Sequence, residues 1–138
     1  PPPLVAVEVV SDDDWKKDYE QNPLKYDQLG VQELVIFDPD VTTSGRTRWP
    51  LQQYQRTADG AWRQTYRGDG PVPSAALGLT WVVTHDAGQP LLRLSFDAAG
   101  QELLPTAAEA TQVEAEARRA AEAEVARLRA LLAAKDGL

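Results

Sequence analysis

Pro3-Leu4-Val5-Ala6-Val7-Glu8-Val9-Val10-Ser11 is followed by a polar segment that closes on Tyr26-Asp27-Gln28-Leu29-Gly30. Gln32-Glu33-Leu34-Val35-Ile36-Phe37-Asp38-Pro39-Asp40 comes next, so residues 3–40 read as strand, helix, strand. The two outer runs are short, rich in Val and Ile, and bounded by turn residues, as strands buried on both faces are. Joining two strands through a helix favours a parallel pair with a right-handed crossover. Strands are therefore expected over 4–10 and 32–37, as neighbours in one sheet. Trp15, Tyr19, Tyr26 and Leu29 fall on one helical face, and Tyr19, Tyr26 and Leu29 are expected to pack on that sheet. Asp12-Asp13-Asp14 suits the cap and first turn of the helix. Pro23 delays or kinks it, Gly30 caps its end, and Asp38-Pro39-Asp40 ends the second strand.

Outward from this unit the chain becomes a meander. Short strands are expected at Leu51–Gln55 and Trp62–Tyr66, joined across Asp59-Gly60, and again at Thr80–Thr84 and Leu91–Phe96. Asp86-Ala87-Gly88 and Asp97-Ala98-Ala99-Gly100 read as turns. At Thr106 the composition changes abruptly. Thr106-Ala107-Ala108-Glu109 has the form of a capping box, and Ala, Glu, Arg and Leu then dominate to Lys135 with no Gly or Pro. That predicts one long helix. Its apolar stripe, Ala110, Val113, Ala117, Ala121, Val125, Leu128 and Leu132, is thin until the last turns. The division expected is a core over 1–105 and a helical segment over 106–138. The tail is either a solvated helix of high intrinsic propensity or a helix that pairs through 121–132, with a second copy or with a protein partner. Two heptads of a/d spacing leave a coiled coil open.

Composition bounds the function. The chain has 138 residues, no Cys and one His, so disulfides and Cys/His zinc chemistry are excluded. No apolar run approaches a membrane span and no signal peptide is evident, which fits a cytoplasmic setting without membrane insertion. The chain opens on Pro1-Pro2-Pro3 and contains no Met, so a preceding N-terminal portion is expected. The net charge is −7, and residues 1–40 carry the whole excess, with ten acids against three lysines. That sign disfavours DNA at this part of the surface. Arg46, Arg48, Arg56, Arg63 and Arg67, with Trp49, Tyr54, Trp62 and Tyr66, form either a backbone-binding strip or the ordinary two faces of a hairpin. His85 and Ser11 lack partners for catalysis.

Glu8 inside a Val-rich strand needs a metal, a partner or an exposed edge, because a buried unpaired carboxylate is costly. Around it, Val7-Glu8-Val9-Val10-Ser11, Trp15, Asp18-Tyr19, Pro23, Tyr26, Leu29-Gly30-Val31, Glu33 and Phe37-Asp38-Pro39 follow one another in a familiar order. Pro50-Leu51 with Tyr54 and Asp59-Gly60, Ser74 with Leu77-Gly78-Leu79, and Leu92-Arg93-Leu94 continue it. This ordered set resembles the Uma-type restriction endonuclease family, of PD-(D/E)XK nuclease fold, over nearly the whole chain. The resemblance implies an α/β (α+β) restriction-endonuclease-like mixed sheet with a helix crossover, a β-meander and a long C-terminal α-helix. It also implies metal-dependent hydrolysis of DNA phosphodiesters.

In such a site an Asp and a Glu on adjacent strands hold Mg²⁺, the backbone carbonyl after the Glu assists, and a Lys orients the attacking water. By resemblance Glu8 takes the place of the metal-binding Glu, and Val9 that of the carbonyl. The site departs from the pattern at two points. No residue before Glu8 matches the upstream Asp. Asp18 and Tyr26 match the ends of the family's helical motif, but Asn22 stands at its Lys position, leaving Lys25, one turn on, as the nearest cation. The expectation is a nuclease-like domain with Glu8, Asp18, Asn22 and Lys25 at the site, Mg²⁺ not bound and hydrolysis not performed. Glu8 would then be a carboxylate paired with a base such as Lys25. The alternative is a non-catalytic structural or linker subunit that works through protein–protein contacts.

Overall fold

The computed structural model describes residues 1–41 and 47–137. β2 (Glu33–Phe37) is buried at every position and runs between β1 (Val5–Val9), parallel to it, and β3 (Leu51–Arg56), antiparallel. β4 (Trp62–Gly68) adds antiparallel to β3, giving a four-stranded sheet in the order β1-β2-β3-β4. The register sets Val7 against Val35 and Val9 against Phe37. The continuous apolar character of β2 follows from having both faces covered. Leu34 and Ile36 meet Val10, Trp15, Tyr19 and Tyr26 on the helical side, whereas Val35 joins Leu51, Val72 and Trp81 on the other.

That other face is covered by a second sheet, β5-β6-β7, built from Val72–Ser74, Leu79–Asp86 and Gln89–Ser95. The meander therefore divides between two sheets, and β5 is a strand that the sequence reading did not anticipate. It is only three residues long and contains Pro73, so it carries almost no periodicity. The β6–β7 turn places Ala87 at φ +48 and Gly88 at φ +79, a conformation that suits a two-residue hairpin. β7 ends at Ser95, and Phe96 is exposed.

The expected single helix is two. Asp12–Asp14 forms a 3₁₀ turn, α1 spans Trp15–Glu20 and α2 spans Asn22–Gln28. The break falls at Gln21 because Pro23 cannot donate to the preceding turn, yet it is well tolerated in the first turn of a new helix. No side chain caps either the acidic turn or α1. Asp12 and Asp14 instead pair with Arg48 and Lys17. Tyr19 and Tyr26 do pack on the sheet. Leu29 does not, and is 62% exposed. α2 has ended by then, and the chain is turning into Gly30 at φ +76.

The described chain separates into two units, Pro1–Leu104 and Pro105–Leu138. The second is α3 (Ala107–Asp136), 30 residues long with none buried. Its capping box is formed, with Glu109 N–H donating to Thr106 Oγ1 at 3.2 Å and Thr106 N–H to Glu109 Oε2 at 2.8 Å. Arg118–Glu122 at 3.2 Å and Arg127–Glu124 at 2.7 Å lie along its surface. Exposed pairs of this kind add little to stability, because water and salt screen them. No helix among the described residues is long and apolar enough to cross a membrane.

Candidate functional site

Ala6 and Glu8 lie on the face of β1 that looks toward the helices. The Tyr26 hydroxyl, on α2, donates to Glu8 Oε2 at 2.7 Å. This bond is the main reason why the Tyr26 phenol is pushed up to about 12, with burial and the Glu8 and Asp18 charges adding to it. Asp18, on α1, is buried. It accepts from the Ser11 N–H at 3.2 Å and from Asn22 Nδ2 at 2.9 Å. Glu8, Asp18, Asn22 and Tyr26 thus form one connected polar patch between β1 and the two short helices. Asn22 is buried, and its carboxamide donates to Asp18 at the position where the resemblance asks for a cation. Lys25 is exposed on α2 and forms no ion pair among the described residues. The partner of Glu8 is therefore Tyr26 and not Lys25. A phenol satisfies the carboxylate without adding a charge.

Mg²⁺ asks for near-octahedral oxygen coordination. Among the described residues no three His, Cys, Asp or Glu side chains converge as a metal set. Glu8 already accepts from a phenol, Val9 supplies at most one carbonyl, and Asp18 is tied to Asn22 and to the backbone of Ser11. These donors do not fit a closed divalent-cation site.

Two other carboxylates are buried more deeply than Glu8, and composition alone did not single them out. Asp38, fully buried, accepts both arms of the Arg48 guanidinium at 2.9 Å and the Tyr19 hydroxyl at 2.8 Å. Arg48 also reaches Asp12 at 2.8 Å and lies over the Trp15 ring at 5.4 Å. Burial raises the Tyr19 phenol to about 12; its bond to Asp38 adds to this and the Trp49 backbone opposes it. Glu33, 1% exposed, faces the second sheet and accepts from Trp81 Nε1 at 2.7 Å, Ser74 Oγ at 2.9 Å and Gln55 Nε2 at 3.2 Å. The available signal was position: Glu33 shares the face of Val35, two residues on, and opens a strand with no exposed residue.

The arginines do not form a shared strip. Arg48 is bound as above, Arg56 pairs with Asp27 at 2.9 Å and covers Trp62, Arg63 faces Asp59 at 3.6 Å, and Arg67 lies 4.4 Å over the Trp49 ring. Arg46 lies outside the described residues. Tyr54 stacks on Trp62, and the Tyr66 hydroxyl accepts from the Gly70 N–H. These contacts are those of a hairpin with one packed and one solvated face. His85 is exposed, and Ser11 contributes only its backbone N–H to the patch. Compared with protein-family models and with curated proteins, the sequence matches none.

Proposed function

We propose that this chain is a nuclease-like domain of the PD-(D/E)XK type that does not itself hydrolyse DNA and that serves as an assembly module through α3. The observation that carries this reading is the Asn22–Asp18 bond at 2.9 Å in a buried position. Where the Uma-type resemblance calls for a lysine near the scissile phosphate, the side chain is neutral and committed to a neighbouring carboxylate. The Glu8–Tyr26 bond supports it further, since the other family carboxylate is also engaged within the domain. α3 supports the assembly half, with Val125, Leu128, Leu131 and Leu132 each 46–60% exposed.

A second reading is favoured by one feature. Among the described residues β1 pairs only with β2 and forms the edge of its sheet, so a strand bearing an Asp could pair beside Glu8. Under that reading the completed site would be a Mg²⁺-dependent endonuclease. The test is incubation of supercoiled plasmid with the chain and Mg²⁺ or Mn²⁺. Intact plasmid is expected from the native sequence. Cleavage that is lost in Glu8→Ala would overturn the non-catalytic reading, and Asn22→Lys would then raise the rate by restoring the charge.

A further inference from the structure

We draw no further inference here: the strongest candidate, the apolar strip of Val7 and Val9 exposed along the β1 edge of the four-stranded sheet, carries nothing, because nothing in the structure shows what covers it.

Discussion

Trp81→Phe tests whether Glu33 fastens the two sheets of the first unit. The indole N–H donates to Glu33 Oε1 at 2.7 Å, and Glu33 is 1% exposed. Phenylalanine keeps an aromatic ring against Val35, Leu51 and Val72 but cannot donate. Losing a hydrogen bond to a charged, buried acceptor costs about 1.5–3 kcal/mol. The smaller ring adds about 1 kcal/mol of lost packing. The expected loss is therefore roughly 2.5–4 kcal/mol, a large share of the 5–15 kcal/mol by which folded proteins are usually stable. Urea unfolding, followed through the fluorescence of Trp15, Trp49 and Trp62, measures it as a fall in midpoint at unchanged slope. Ser74→Ala separates polarity from packing. It removes the 2.9 Å donor to Glu33 Oε2 with little change of volume, and should cost about 1–2 kcal/mol. If Ser74→Ala is silent and Trp81→Phe costs no more than about 1 kcal/mol, the carboxylate does not depend on these donors and the argument fails.

Arg48→Ala should destabilise the first unit by about 3 kcal/mol, because it strips a bidentate partner from the fully buried Asp38. Arg48→Lys should recover less than half of that loss, since an ammonium cannot match the fork, as thermal or urea unfolding would show. In alkali, Tyr19 and Tyr26 should ionise near 12 in place of 10.0. A folded pKa raised above the unfolded one means that their contribution is complete below pH 10, and is lost as pH climbs through about 12. Tyrosinate absorbance should therefore show Tyr19 and Tyr26 late, with Tyr54 also delayed by its burial, and Glu8→Gln should bring Tyr26 forward while leaving Tyr19 in place.

The strand-helix-strand unit was legible because three independent signals agreed over residues 4–37: aliphatic runs, an aromatic helical face and turn residues at each end. β1 and β2 duly pair in parallel, and Tyr19 and Tyr26 pack beneath them. The mixed α+β class and the capped helix from Thr106 were legible for the same reason. The division of the meander into two sheets was not. Sheet membership depends on which faces meet, and Gln52, Gln53 and Thr80 are buried residues that read as surface. Gln53 is buried because its Nε2 donates to the Pro73 carbonyl at 2.8 Å and its Oε1 accepts from Thr65 at 2.9 Å. No local pattern announces such long-range satisfaction.

The same limit governed the site. Glu8 drew attention as a charge within an apolar strand, yet a strand at the edge of a sheet can hold a half-exposed carboxylate with a single phenol as donor. Glu33 and Asp38 looked ordinary because they stand at the two ends of β2, where turns and caps usually collect acids. Both are more deeply buried than Glu8, and each is met by donors from segments far along the chain: Trp81 and Ser74 for Glu33, Arg48 and Tyr19 for Asp38. Charge at the ends of a central strand therefore ties the helical side and the second sheet to β2. Polar groups so completely occupied are poorly placed to receive a metal or a phosphate, because binding would first have to break satisfied buried bonds. Among the described residues of α3, Val125, Leu128, Leu131 and Leu132 stay exposed, and the proposed assembly role rests on them.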